Sequence, residues 1–131
     1  MKIIYNKLIP LKGFKAMMLF GLLFVRKGAT MNEADMNHEK IHAEQYREVT
    51  STGLLAAVLL SVFGLWWTLL VAPLAYYIWY VVEWIVRLAI IKDAHAAYRN
   101  ISFEREAYAN ETDLEYLSNR KGYAFLDFFI H

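Results

Sequence analysis

The chain has 131 residues, 14 lysines and arginines against 13 aspartates and glutamates, and no cysteine. That length makes one domain, residues 1–131, and the missing thiols exclude disulfides and thiolate metal ligands. The near-zero net charge hides a basic start: Lys2, Lys7, Lys12, Lys15, Arg26 and Lys27 all precede the first acid, Glu33. With an apolar block downstream and no base-reading motif, that start points to an anionic membrane surface rather than to nucleic acid.

Residues 1–29 are predicted as a β-rich segment. Lys2 to Asn6 reads as a short strand, and Pro10 and Gly13 mark turns around Leu11 and Lys12. From Phe14 to Arg26 two readings compete. One is a pair of short strands, or one bent strand, covering the next helix. The other is an interfacial helix from Lys12 to Val25. Gly13, Gly21 and Gly28 punctuate the run at strand-like spacing, which favours strands. An edge strand there could bind an extended polypeptide by strand addition.

Residues 30–52 are predicted as a metal-binding helix. Thr30 with Glu33 reads as a capping box, no Pro or Gly interrupts Met31 to Thr52, and Gly53 reads as the stop. Within it stands His38-Glu39-Lys40-Ile41-His42, an H-E-x-x-H pentapeptide. On a helix the two histidines lie one turn apart and can share one metal ion, usually zinc. Glu39 then sits where it can take a proton from water as the catalytic base. Gln45 and Val49 continue the histidine face. A third ligand has to come from elsewhere in the chain.

Residues 53–91 are predicted as an apolar helical hairpin. No side chain from Ser51 to Val82 is charged. Leu54 to Ala72 and Leu74 to Ile91 read as two candidate spans separated by Pro73. A shallow re-entrant hairpin and a hairpin buried inside a soluble homo-oligomer are the rivals. Basic residues flank the block on both sides (Lys40 and Arg47 before it, Arg87, Lys92 and Arg99 after it). They place both termini and the metal helix on the cytoplasmic face of a bacterial inner membrane. Glu83 and Arg87, inside the second span, are either a local ion pair or a site, with Glu83 orienting a ligand histidine.

Beyond Lys92 the chain turns polar. His95 stands alone and reads first as structural. Residues 102–120 are predicted as a further helix, capped by Asn100 or Ser102 and running from Phe103 to about Ser118. Glu104, Tyr108, Glu111 and Glu115 would share one face, and Glu106 would point about 200° away from Glu104. Residues 121–131 form an apolar tail, Tyr123 to His131, expected to pack back on the fold or the membrane.

The pentapeptide followed by Glu104-x-x-Ala107 resembles the gluzincin class of zinc metallopeptidases. The wider run of Phe24–Gly28, Asn37–His42, Gln45 and Tyr98–Tyr108 resembles a family of small uncharacterised proteins from Bacteroidetes. The resemblance implies His38, His42 and Glu104 as Zn2+ ligands, Glu39 as general base, and a peptide or protein substrate. In that class an acid often follows the alanine and supports a histidine ligand; Tyr108 stands there instead, so Glu83 or Glu111 would have to substitute. Tyr108, Tyr98 and His95 are candidate oxyanion donors.

The expected fold is mainly α, with a small N-terminal β element in a minimal zincin-like core and an apolar hairpin. The expected function is membrane-associated, zinc-dependent peptide hydrolysis. The alternative is a non-catalytic, metal-stabilised structural or adaptor protein, which would keep the ligands but lack an open position and a cleft.

Overall fold

The computed structural model describes residues 2–10 and 12–130. Met1, Leu11 of the predicted turn and His131 of the predicted tail lie outside them. The fold is mainly helical with a small N-terminal sheet. Strands β1 (Lys2–Asn6), β2 (Ala16–Leu19) and β3 (Leu22–Arg26) pair in the order β1-β3-β2. The β1–β3 pairing is parallel and the β2–β3 pairing antiparallel. Phe20 and Gly21 both take positive φ in the two-residue β2–β3 turn, the backbone that matches strand twist in a tight hairpin. The strand reading therefore holds, and β2 is an edge of the sheet.

Helix α1 (Glu33–Ser61) starts later and ends later than its sequence signals suggest. The capping box is Asn32 with Asp35, not Thr30 with Glu33. Gly53 is not a stop, and the helix runs eight residues past it. A Cβ at Gly53 would sit 3.4 Å from the Ala75 Cβ and 3.6 Å from the Ala72 carbonyl oxygen. The glycine is therefore the place where a second helix crosses closely, the use that small residues find in apolar helix pairs.

That second helix is α2 (Thr68–Ile91). The chain reverses between the two at residues 62–67, where Gly64 takes φ +84°. The predicted turn at Pro73 is not there: a 3-10 segment, Ala72–Leu74, carries the proline through α2 without a break. The two helices run antiparallel, with Thr68 beside Ala57 and Tyr76 beside His42. The apolar arm on α1, Gly53 to Ser61, rises only about 13 Å at 1.5 Å per residue, less than half of a bilayer core of roughly 30 Å. The two-span division at Pro73 is thus replaced by a short arm and one long helix. In the most apolar window of α2 only 17% of residues are buried.

Helices α3 (Ala94–Arg99), α4 (Ser102–Asn110) and α5 (Tyr116–Asn119) follow, then α6 (Asp127–Ile130). The predicted single helix from Phe103 to Ser118 is split, so Glu111 and Glu115 leave the face of Glu104. Asn37 explains the break: its Nδ2 gathers the carbonyls of Asn110, Glu111 and Asp113 at 3.0–3.2 Å, closing the chain into a turn against α1. Burial of Met18, Tyr76, Ile101, Phe103 and Phe125 makes the core. Phe103 stacks on Tyr76 with centroids 4.5 Å apart, and Phe125 of the tail packs on Phe103 at 4.7 Å. These contacts seat α4 across α1 and α2.

Candidate metal centre

His38 and His42 project from one face of α1 toward α4, and Glu104 on α4 projects back. All three are buried, with Glu104 only 3% exposed. The His38 Nε2 and His42 Nε2 atoms are 3.0 Å apart. Glu104 Oε2 lies 3.4 Å from His38 Nε2, and Glu104 Oε1 lies 3.3 Å from His42 Nε2. Donors bound tetrahedrally at about 2.0–2.2 Å sit roughly 3.3–3.5 Å from one another. The triad thus has the spacing of three corners of one coordination shell, and it could hold a metal ion.

The outer nitrogens decide which atoms face inward. His38 Nδ1 is 2.8 Å from Glu111 Oε2, and His42 Nδ1 is 2.8 Å from Gln45 Oε1. Each Nδ1–H donates outward to an oxygen, which leaves each Nε2 as a lone pair. Two lone pairs facing at 3.0 Å beside a carboxylate need a cation or a proton between them. Glu104 Oε2 points the same way, as one of two buried side-chain polar atoms with no hydrogen-bond partner among the described residues. Such an orphaned acceptor is costly unless something else satisfies it. The donor set, two imidazoles and a carboxylate, is the one a divalent transition metal takes.

The charge balance agrees. Burial alone would lower the His42 pKa, but the Glu104 carboxylate beside it, with Glu39 and the Gln45 hydrogen bond, pushes it up to about 9. Burial would raise the Glu104 pKa, yet the two histidines hold it well below the usual carboxylate range. Burial dominates at Glu39 and raises its pKa, with the nearby histidines pulling the other way. A raised pKa makes this carboxylate a stronger proton acceptor than an ordinary glutamate.

A cavity of about 490 Å³ opens from this centre. His38, Glu39, His42 and Glu104 line it together, with β2 on one side and α2 and α3 on the other. The base candidate and the ligand candidates therefore share one space.

The remaining sequence candidates divide. Glu111 supports His38, although it does so from the turn after α4 and not from the helix. Tyr108 packs edge-on against the His38 ring at 4.6 Å, and the Arg99 guanidinium sits 3.7 Å above its face. It walls the ligand candidate, and the residues that line the cavity do not include it. Tyr98 and His95 do line the cavity. Burial first, then the Glu104 charge, hold the Tyr98 pKa far above the ordinary value. Glu83 does not orient a histidine. Its carboxylate accepts from the Ser102 backbone N–H at 2.8 Å and the Ser102 hydroxyl at 2.7 Å, as well as from Trp79 and Arg87. It caps α4 and so fixes the helix that carries Glu104.

The Tyr80 hydroxyl donates to Glu104 Oε1 at 2.6 Å, a contact that nothing in the sequence announces. Two further residues have supporting roles that the sequence leaves unassigned. Gln45 accepts from His42 and donates through Nε2 to the Phe103 carbonyl (3.0 Å) and to Glu106 Oε2 (2.9 Å), tying α1 to α4. Its only signal is its place one turn beyond His42. Arg120 is the other: its guanidinium bridges Glu48 of α1 (2.7 Å) and Glu106 of α4 (2.5 Å). Glu106 does face away from the triad and reaches it only through Gln45. Nothing in the local pattern around Arg120 announces two buried acids so distant in sequence.

No protein-family model, curated protein or solved structure matches the chain.

Proposed function

We propose that the chain is a membrane-associated, zinc-dependent peptidase of gluzincin type. The observation that carries this reading is the convergence of His38 Nε2, His42 Nε2 and Glu104 at coordination-shell spacing, with Glu39 lining the same open cavity. His38, His42 and Glu104 would hold the ion, with Glu111 and Gln45 fixing the two imidazoles. When bound, zinc polarises a carbonyl and makes water a competent nucleophile near neutral pH. Glu39 accepts the proton of the attacking water on its carboxylate and passes it to the leaving amine. His95, which lines the same cavity, is the residue proposed to donate to the oxygen of the scissile carbonyl.

Membrane association is supported by the apolar surface of α2, where Val82, Ile85 and Ile90 are all more than half exposed. Oriented exposure of this kind marks an interaction face. With the positive-inside bias of the flanks, the reading keeps the metal centre on the cytoplasmic side of a bacterial inner membrane.

The test is metal analysis with activity. Purified protein loaded with Zn2+ should carry about one ion per chain, and His38→Ala and Glu104→Ala should each lower that occupancy. Glu39→Gln should keep the metal and lose roughly a hundredfold or more of any peptide hydrolysis. Undiminished activity in Glu39→Gln would remove the mechanism. Full zinc occupancy with a metal-dependent fold and no hydrolysis would leave the structural or adaptor reading in its place.

A further inference from the structure

The walls of the metal cavity are unlike its floor. Apart from Glu39 and the three ligand candidates, the lining includes His95 but no lysine, arginine or aspartate among the described residues. The walls are aromatic and aliphatic, with Met17 and Leu19 on the β2 side and Tyr77, Val81 and Trp84 on the α2 side. A site for a polar peptide would offer charges or amides along its length. This one offers apolar surface right up to the metal.

The cavity also opens in a particular direction. Val81 lines it and is at the same time 51% exposed. On α2, Val81 stands one turn from Ile78 and from Ile85, which are 49% and 54% exposed, so it borders the exposed apolar face of the helix. The exposed apolar face of α2 and the cavity wall therefore meet at Val81. A ligand dissolved in a lipid phase against α2 could reach the metal without crossing charged surface.

The opposite wall says what kind of ligand. Among the described residues β2 pairs with β3 alone, so its other edge has no strand, and all four of its residues line the cavity. On that edge the Tyr77 hydroxyl accepts from the Phe20 backbone N–H at 2.7 Å and donates to the Met18 carbonyl at 3.5 Å. An adding antiparallel strand engages these same two groups, the carbonyl before and the amide after one unpaired residue. Tyr77 stands in for a backbone and keeps the edge satisfied until a strand replaces it. A lipid ester has no such repeat of donors and acceptors.

We infer that the site takes an extended polypeptide segment with bulky apolar side chains, laid along β2 and delivered from the lipid-facing side of α2. This rests on the peptidase reading for cleavage, but not for binding. The test uses two probes: a synthetic leucine- and alanine-rich peptide of membrane-spanning length in phosphatidylcholine vesicles, and a soluble, unstructured polar peptide of equal length. A photocrosslinking phenylalanine analogue at position 81, in the Glu39→Gln background, should capture the vesicle peptide and not the polar one. The zinc-loaded protein should cleave the vesicle peptide at least about tenfold more efficiently, and Val81→Asp should remove that preference with zinc content retained. Capture of the vesicle peptide without cleavage by the unsubstituted protein would sustain the inference and sink the hydrolysis reading. Equal cleavage of both peptides, unaffected by Val81→Asp, would overturn the inference and leave hydrolysis standing. Crosslinks to phospholipid alone would also overturn it.

Discussion

Gln45 holds His42 through its amide oxygen and α4 through its amide nitrogen, so removing that amide acts on a ligand and on the seat of another ligand at once. Gln45→Leu keeps the volume but takes away the acceptor of His42 Nδ1–H and the donor to the Phe103 carbonyl and Glu106. Loss of such an outer partner commonly weakens metal binding 10- to 100-fold, and competition against a fluorescent zinc chelator should show a fall of about that size. His42 makes a second residue-scale expectation. Its pKa is about 9 in the fold against 6.5 for the free side chain. A raised pKa means that pairing with Glu104 stabilises the metal-free fold fully below pH 6.5 and is lost as pH rises through 9. Chelator-treated protein should therefore melt at progressively lower temperature across that window. Zinc competes with the same proton, so its affinity should rise with pH over the same range. Titration calorimetry at pH 7 in two buffers of different ionisation enthalpy should report proton release on zinc binding. These expectations grow from residues the sequence exposes readily, because H-E-x-x-H states both spacing and chemistry within five positions. Gln45 does not announce itself, since a glutamine one turn from a histidine is ordinary until its partners on α4 are known.

Helix α4 is placed from its N-terminus, where the Glu83 carboxylate takes both the backbone N–H and the hydroxyl of Ser102. The negative charge also meets the positive end of the helix dipole. Glu83→Ala should cost about 2–3 kcal/mol in denaturant unfolding, the scale for hydrogen bonds to a charged group. It should also weaken zinc binding, because Glu104 lies two residues into the helix whose start comes loose. A variant that loses stability but binds zinc unchanged would mean that packing of Phe103 alone positions the helix. Within a sequence, Glu83 looks like an isolated acid in an apolar run, and that pattern suggests either an ion pair or a site. It is paired with Arg87, yet its main partners lie on the next helix, at a separation no periodicity reports. The same limit explains α1. Gly53 carries the signal of a helix end, and only the small Ala72 and Ala75 opposite it reveal that its missing side chain admits another helix. Strand and helix types were legible because period and turn residues are local. The position of the hairpin turn was not, since Pro73 and Gly64 both punctuate an apolar run.

On the proposed membrane reading, the exposed apolar arms would reach only partway into a bilayer on the α1 side, because polar α1 residues resume within about 13 Å of the turn. His42 stands level with Tyr76 on α2, so the metal centre cannot be far from the lipid surface if the hairpin inserts. Alkaline carbonate should leave the protein in the membrane fraction. Cysteines introduced singly at positions 2 and 121 should react with an impermeant reagent from the cytoplasmic side, and one at position 64 from neither side. Labelling of position 64 from the outer side would instead indicate a hairpin that crosses completely. The Arg120 clamp has a different kind of consequence, one of order in time. As the chain is made, two ligands appear at 38 and 42 and the third at 104, but the cation that lets Glu48 and Glu106 approach each other appears only at 120. Before then two carboxylates destined for burial repel across the α1–α4 contact. A nascent chain can thus carry His38, His42 and Glu104 and still lack the closed α1–α4 contact until residue 120 has been added.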